Sequence, residues 1–243
     1  MKHATSAFQT RLNRLTSLTA SERDALSVFE QTQERRAKRE PIFPEGDDDR
    51  RIAILRSGWA VTRVKSDSGQ TTIAQIFMSG DIIGLSEVGF VKGPHETTMQ
   101  TDGSVSLISR NDLLKFLSLQ PRLFGLMASL VSVNAITLMD QLHSVARLPA
   151  EDRLMHFLLS IKSKTEQGSD QPSDRFALPL SQKEIGDVLG LTDIYVNRLL
   201  SGLQKRGEIT MSRPYIRITN VPYWQERLKF QNRYGGIDLG WIA

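Results

Sequence analysis

The segment from residue 181 to residue 207, SQKEIGDVLGLTDIYVNRLLSGLQKRG, restricts the possible folds of this chain more than any other stretch. Ser181 and Glu184 form an S-x-x-E capping box, which satisfies the free amide donors at the start of a helix. Gly190 permits a turn conformation that a β-carbon would disfavour, and Thr192 can cap a second helix. The pattern therefore predicts two short helices joined by a tight turn.

The second predicted helix has an apolar face and a polar face. The apolar side chains recur at helical spacing and are expected in the core: Val196, Leu199, Leu200 and Leu203. The other face presents the candidates for reading DNA bases: Asp193, Ile194, Asn197 and Arg198. Asn197 can pair with adenine and Arg198 with guanine through two hydrogen bonds each. A DNA-binding helix-turn-helix is therefore favoured over a purely structural helical hairpin.

Several polar side chains around the two helices are candidates for contacts with DNA phosphates. They are Ser181, Gln182, Lys183, Thr192, Ser201 and Arg213. For each of them taken singly, a solvated surface position is the alternative interpretation. The formal net charge of +4 is compatible with nucleic-acid binding but is not diagnostic of it.

The composition excludes several classes of function. The chain has 243 residues, enough for two modest domains, and it contains no cysteine. Disulfides, thiolate zinc sites and cysteine-ligated iron–sulfur clusters are therefore excluded. We find no glycine-rich phosphate loop and no histidine–carboxylate cluster at metal-ligand spacing, so neither an enzyme nor a metal site is predicted.

The expected location is the cytoplasm, without a membrane partner. No apolar run is predicted to be long enough to span a membrane. The N-terminus, MKHATSAFQTRLNRL, lacks the apolar core and the cleavage site of a secretory signal.

The first half of the chain predicts a strand-rich domain over residues 1–120, which begins with short helices. From Pro41 onward, glycine and proline punctuate the short runs RIAIL, WAVTRV and TTIAQIF. Such runs between turn residues are typical of an antiparallel sheet or roll. The run VSLIS closes this region, and a helix containing NDLLKFL follows it.

A long helix is predicted over residues 121–148, because Pro121 suits a first helical turn. One face repeats small and apolar residues at the spacing of a coiled-coil seam: Ala128, Val131, Ala135, Leu138, Leu142 and Val145. A second stripe lies beside it: Leu123, Leu126, Leu130 and Val133. Two stripes predict two contacts, one with the strand domain and one with a second subunit in a parallel homodimer. The alternative is a helix wholly buried in its own chain.

The remaining segments complete the predicted organisation. The runs EITMS and YIRITN flank Arg213 and Pro214 like the two strands of a wing. Residues 149–220 are therefore predicted to form a winged helix-turn-helix domain, and residues 221–243 a C-terminal helical tail. The fold class is α+β, with an N-terminal antiparallel β-roll, a long central dimerisation helix and a C-terminal winged helix-turn-helix.

The chain resembles the cyclic-AMP receptor protein / fumarate–nitrate regulator (Crp/Fnr) family. The resemblance is carried by the turns FPEGD and SGDIIG, by EDRLMHFLLSI, and above all by LPLSQKEIGDVLGLTDIYVNRLLSGLQKRGEIT. It implies a β-roll of the cyclic-nucleotide-binding type joined to the predicted helix and winged domain. It also implies a homodimeric transcription regulator that binds double-stranded DNA at a two-fold-related promoter site and contacts RNA polymerase.

The chain departs from the nucleotide-responsive members of that family. Those members grip ribose and phosphate with a Gly-Glu pair and an Arg-Ser or Arg-Thr pair. Here the corresponding segments read GLSE and PHETT, and no arginine lies between Arg63 and Arg110. Without an arginine that binds it through two hydrogen bonds, the negative charge of a buried phosphate would be poorly compensated. Cyclic AMP is therefore not the expected effector. The residues of a possible effector pocket are Gly84, Glu87, His95, Thr97 and Thr98.

Other cofactors of the family are also disfavoured. Haem would need a histidine ligand, and the four histidines do not pair at metal-like spacing: His3, His95, His143 and His156. No cofactor is therefore expected, and the effector remains unidentified. The β-roll could bind a small molecule or a protein, or it could be a fixed dimer scaffold.

The resemblance also assigns roles on the second helix. Arg198 matches the recognition-helix arginine of the family and is assigned to guanine. Ile194 stands where many members place a glutamate that accepts from cytosine, and it could only touch a thymine methyl, so the half-site should differ. Asp193 either faces a cytosine amino group or only caps the helix. The alternative function is a small-molecule sensor or protein-interaction scaffold with a degenerate DNA-binding domain.

Overall fold

The computed structural model describes residues 6–49, 51–67, 69–168 and 173–235. His3 and the end of the predicted C-terminal tail, residues 236–243, lie outside the described residues.

The helices and strands follow the predicted order along the chain. The helices are α1 (Ala7–Leu15), α2 (Ala20–Val28), α3 (Arg110–Leu119), α4 (Pro121–Arg147), α5 (Ala150–Gln167), α6 (Gln182–Leu189), α7 (Asp193–Lys205) and α8 (Val221–Arg227). The strands are β1 (Glu34–Arg36), β2 (Pro41–Phe43), β3 (Arg51–Ser57), β4 (Trp59–Lys65), β5 (Thr71–Met78), β6 (Ile82–Ile83), β7 (Glu96–Met99), β8 (Gly103–Ser109), β9 (Arg175–Ala177), β10 (Ile209–Ser212) and β11 (Tyr215–Ile218).

The N-terminal domain is a roll of two four-stranded antiparallel sheets, with strand orders β1-β8-β3-β6 and β2-β7-β4-β5. Apolar residues of both sheets fill its interior: Ile42, Phe43, Ala53, Leu55, Ala60, Phe77, Ile83, Met99 and Val105. These side chains alternate with outward ones because successive residues of a strand point to opposite faces. The predicted β-roll is confirmed.

The first helices and the start of α4 cover the outside of the roll. Phe8, Leu12 and Leu26 from α1 and α2 are buried together with Leu123 and Leu126 of α4. This packing accounts for one of the two predicted stripes on the central helix.

The other stripe of α4 faces away from the other residues that the structure describes. Leu138 is 45% exposed and Leu142 is 69% exposed, and Ala128 and Ala135 are exposed as well. Val131 and Val145 are half-buried. The alternative of a helix wholly buried in its own chain is therefore wrong.

The exposed seam gives α4 a long apolar surface. Its 27 residues reach a mean hydropathy of 1.6 over an 18-residue window, of which 22% is buried, so its length and composition alone would suffice to cross a membrane. The expectation that no run reaches that length was wrong for α4. A helix that packs its apolar face against a second subunit can have the same length and composition as a helix that crosses a membrane.

The C-terminal domain comprises α5 to α8 and a three-stranded sheet in the order β10-β11-β9. Its core includes Leu158, Val196 and Trp224, and it also takes in Val61 and Ile73 from the outer face of the roll. The two domains therefore share one apolar core. The predicted wing is confirmed as β10 and β11, whereas the predicted final helix is shorter than expected, since α8 ends at Arg227.

Candidate nucleic-acid interface

The turn between α6 and α7 has the geometry that the sequence predicted. The hydroxyl of Ser181 accepts from the amide of Glu184, and the Glu184 carboxylate accepts from the amide of Ser181, which completes the capping box. Gly190 has φ 66°, a conformation that favours glycine. Gly186 is also required, because a β-carbon there would lie 2.4 Å from the carbonyl oxygen of Leu191. The two helices are thus held in close contact.

Helix α7 presents its polar face to solvent. Asp193, Asn197 and Arg198 are exposed, and Ile194 is 79% exposed. On the opposite face, three of the predicted core residues are buried: Val196, Leu200 and Leu203. The fourth, Leu199, is half-buried. The four candidate base-reading side chains therefore share one accessible face.

Local contacts orient the side chains of this face. Nε2 of the Gln182 side chain donates to Oδ1 of Asn197 at 2.9 Å. The guanidinium of Arg198 lies 4.6 Å from the centre of the Tyr195 ring, within the range of a cation–π contact. Asp193 accepts from the amide of Ile194 at 2.9 Å, which keeps its carboxylate at the helix start.

Tyr195 did not enter the sequence-based assignment. The spacing of three residues between Tyr195 and Arg198 was the signal available, because such residues are neighbours on a helix. The aromatic ring holds the arginine side chain against the surface of α7.

The candidate phosphate contacts are distributed over two parts of the surface. Ser181, Lys183 and Thr192 are exposed on one wall of a cleft of about 1030 Å³ between the roll and the helix-turn-helix. Arg213 is exposed at the tip of the wing, between β10 and β11, and Gln182 and Ser201 are half-buried.

The opposite wall of the cleft belongs to the roll and carries further cations. Lys38, Arg39 and Arg63 line it. Lys38 and Arg39 belong to the charged run QERRAKRE, and no residue near them in the sequence indicates that α6 lies across the cleft.

Glu184 links the helix-turn-helix to the roll in addition to its capping role. Its carboxylate accepts from Gln100 at 2.9 Å and from Arg63 at 3.3 Å. Gln100 also donates to the carbonyl of Pro179 at 3.0 Å. Burial alone would raise the pKa of Glu184, but the hydrogen bonds from Ser181 and Gln100 and the charge of Arg63 outweigh it, so the pKa is lowered. The carboxylate is therefore held ionised between the two domains.

The predicted effector-pocket residues do not all share one site. Thr97 points into the roll, where its hydroxyl lies 2.7 Å from that of Thr62. Thr98 points outward and accepts from Arg63 at 2.5 Å, beside the helix-turn-helix. The placement of both threonines in one pocket was wrong, because adjacent residues of a strand face opposite sides.

The other predicted pocket residues lie at one end of the roll. His95 and Glu87 approach to 3.7 Å. Gly84 has φ 82°, and a β-carbon there would lie 3.1 Å from the ring of Phe43, which belongs to the apolar interior. Within the described residues, no group of three or more histidine, cysteine or carboxylate side chains is placed to hold a metal ion.

The fold and the exposed helix α7 define a class of protein: a β-roll joined to a winged helix-turn-helix, as in DNA-binding regulators of transcription. Residues 33–120 match a model of the cyclic nucleotide-binding domain, and residues 152–226 match a model of the Crp-like helix-turn-helix domain.

Comparisons with other protein sequences and with solved structures agree with these matches. The chain is 26% identical over 183 residues to the fumarate and nitrate reduction regulatory protein of Escherichia coli (strain K12), covering 75% of this chain and 73% of the relative. The structure of FixK2 from Bradyrhizobium japonicum superposes with a TM-score of 0.71 at 24% identity, covering 82% of this chain and 95% of that one. A CooA variant from Carboxydothermus hydrogenoformans gives a TM-score of 0.66 at 16% identity, covering 83% and 90%.

The chain therefore belongs to the Crp/Fnr family of transcription regulators. Members of this family are DNA-binding regulators and not enzymes. They are soluble proteins, so the apolar character of α4 is weak evidence for a membrane span.

Proposed function

We propose that this protein is a homodimeric, sequence-specific regulator that binds a two-fold-related promoter site through α7, without cyclic AMP. The observation that carries this proposal is the exposed face formed by Asp193, Ile194, Asn197 and Arg198 on a capped, tightly packed helix. Asparagine and arginine are the side chains that pair with adenine and guanine in the major groove.

The exposed seam of α4 supports the dimer. A helix of 27 residues is roughly 40 Å long, and none of the described residues covers its apolar seam. A second copy packed against it would bury this seam and would present two α7 helices. Successive major grooves on one side of DNA lie about 34 Å apart, so the two helices must keep a fixed separation.

The dimer is tested by placing a charge on the seam. Leu142→Glu should shift the protein from a dimer to a monomer in analytical ultracentrifugation, because a carboxylate would be buried between the two helices. Leu114→Glu is the matched control, since Leu114 on α3 is 68% exposed and Leu142 is 69% exposed. An unchanged dimer in Leu142→Glu, or a monomeric wild type, would contradict the proposal.

Independence from cyclic AMP is supported by the packing of the roll. Apolar side chains occupy its interior, and Arg63 on β4 points outward toward Glu184. A cyclic phosphate placed inside would therefore lack a cationic partner. Isothermal titration calorimetry should detect no binding of cyclic AMP or cyclic GMP, and micromolar binding of either would overturn this part of the proposal.

The remaining features of the proposal follow from the family. We infer a cytoplasmic protein that contacts RNA polymerase and has no resident cofactor. Gel-shift assays on genomic fragments should show sequence-dependent retardation by the wild type. A protein with a degenerate DNA-binding domain would retard no fragment preferentially.

A further inference from the structure

The segment from residue 228 to residue 235, here named the C-terminal strap, lies beyond the residues matched by the family models. It follows α8, where Lys229 adopts φ 48°, a left-handed conformation that redirects the chain. The strap then reaches the central helix, and its described part ends in a 3₁₀ turn, Arg233–Gly235.

One end of the strap is fixed to the DNA-binding domain. Leu228 and Phe230 pack against the core of that domain. The ring of Phe230 meets the ring of His156 on α5 edge-on, with centroids 5.2 Å apart and an interplanar angle of 70°. Edge-to-face geometry is a favourable arrangement for two aromatic rings, so this contact fixes the strap on α5.

The other end of the strap is fixed to α4. Nε of Arg233 donates to Oδ2 of Asp140 at 2.7 Å, and Nη2 donates to Oδ1 at 2.9 Å. A bidentate pair of this kind restricts orientation as well as distance. The side chains of Arg233 and Asp140 are 36% and 29% exposed. Solvent therefore screens the pair, and its main effect is geometric and not a large gain in stability.

Tyr234 occupies the junction of three elements. It lines a cavity of about 90 Å³ together with Thr137 of α4, Phe157 of α5 and Ile73 of β5. Oγ1 of Thr137 is buried there and has no hydrogen-bond partner among the described residues. The tyrosine ring therefore lies where the roll, the central helix and the DNA-binding domain meet.

The peptide connection between α4 and α5 is short, and its Pro149 has a fixed φ. Helix α4 ends at Arg147 and α5 begins at Ala150, so Leu148 and Pro149 form the only link. The contacts of Glu184 with the roll restrain the α6 side of the DNA-binding domain. On the α5 side, Lys164 pairs with Asp81 of the roll, and the strap adds a link between α5 and α4.

We propose that the C-terminal strap sets the angle between the central helix and the DNA-binding domain, which makes Arg233 and Tyr234 positioning residues for DNA recognition. The role in DNA recognition rests on the dimer proposed above. The role in fixing the angle does not, because every contact that carries it lies within one chain.

The angle can be measured without DNA, because the chain has no cysteine and two introduced cysteines would be the only labelling sites. Ser132→Cys on α4 and Gln204→Cys on α7 are exposed positions for spin labels. In labelled protein diluted with unlabelled protein, pulsed electron resonance should give a narrow distance distribution. Adding Arg233→Ala should broaden it, and the charge exchange Arg233→Asp with Asp140→Arg should narrow it again.

Arg227→Ala is the matched control. Arg227 donates to Asp152 at 2.6 Å and its side chain is 40% exposed, but this pair lies between α8 and α5 inside the DNA-binding domain. It should leave the distance distribution unchanged. If the distance distribution in Arg233→Ala is as narrow as in the wild type, the proposed role of the strap in fixing the angle is refuted. This result does not depend on how the protein binds DNA.

The consequence for recognition is tested on duplexes whose half-site spacing differs by one base pair in either direction. The wild type should favour one spacing, and Arg233→Ala should reduce that preference roughly tenfold while its affinity for an isolated half-site stays the same. An undiminished spacing preference would overturn the positioning role. A wild type that binds no two-fold site would instead refute the proposed function. The distance measurement would still test whether the strap fixes the angle between the central helix and the DNA-binding domain.

Discussion

At the scale of single residues, the proposed interface assigns some side chains to reading bases and others to contacting phosphates. Arg198 and Asn197 stand on the exposed face of α7, each held by one neighbour, Tyr195 and Gln182. Lys183 stands on α6 at the cleft and is exposed. Base contacts carry sequence information, whereas phosphate contacts carry affinity.

Arg198→Ala should relax specificity at one base pair of each half-site. The lost bidentate contact with guanine should cost about 1–3 kcal/mol of binding free energy. Selection of binding sites from random duplexes checks this, with preference lost at a single position. Unchanged selectivity would show that Arg198 does not read a base.

Lys183→Ala should weaken binding to all sequences alike. It removes one phosphate contact, so the salt dependence of the affinity should flatten by roughly one unit. Affinities measured over a salt series on specific and random duplexes check this. A loss confined to one sequence would assign Lys183 to base reading instead.

At the scale of elements, buried charges as well as apolar contacts join the domains. Asp81, in the turn after β5, lies 3.3 Å from Arg11 of α1 and 2.9 Å from Lys164 of α5. Burial alone would raise the pKa of Asp81, but the charges of Arg11 and Lys164 outweigh it and lower the pKa. One carboxylate therefore joins an N-terminal helix, the roll and the DNA-binding domain.

Asp81→Asn should destabilise the fold, because two buried cations would lose their partner. The expected loss in the free energy of unfolding is roughly 3–5 kcal/mol, measured by urea denaturation. Asp48→Asn is the control, since Asp48 is 78% exposed and pairs with Lys92 only at 3.9 Å. Equal effects of the two substitutions would contradict the role of the buried cluster.

At the scale of the whole molecule, His156 makes the stability sensitive to pH. Burial lowers the pKa of His156 below its ordinary value of 6.5, and His143 lowers it further, whereas Asp140 raises it. The unfolded chain therefore binds this proton more readily than the folded chain does. The contribution of His156 is complete above pH 6.5 and is lost as the pH falls from there toward the folded-state pKa.

The free energy of unfolding should therefore decrease as the pH falls below about 6.5. The carboxylates with lowered pKa, such as Glu184, have ordinary values near 4.5 and act at lower pH. Replacing His156 by glutamine should remove part of the slope, whereas His143→Gln, at an exposed position, should retain most of it. Urea titrations at several pH values measure this, and identical slopes for wild type and His156→Gln would contradict it.

The sequence predicts those parts of the fold that depend on local signals. The capping box at Ser181, the left-handed Gly190 and the two stripes of α4 are all encoded within a few turns of helix. Contacts between distant segments could not be predicted in this way. Gln100 meets Glu184 across 84 residues of chain, and Arg63 meets it across 121. Thr98 was misplaced because the predicted pocket included two adjacent threonines, and a strand directs only one of them into the roll.

The most direct test of the central claim is selection of binding sites from random duplexes by the full-length wild type, with its mass in solution measured in parallel. A dimer that reads DNA through α7 should select an inverted repeat with half-sites about one helical turn apart. It should contain a guanine whose preference disappears in Arg198→Ala. A monomer that selects no motif, or a motif unaffected by Arg198→Ala and Asn197→Ala, would contradict the claim.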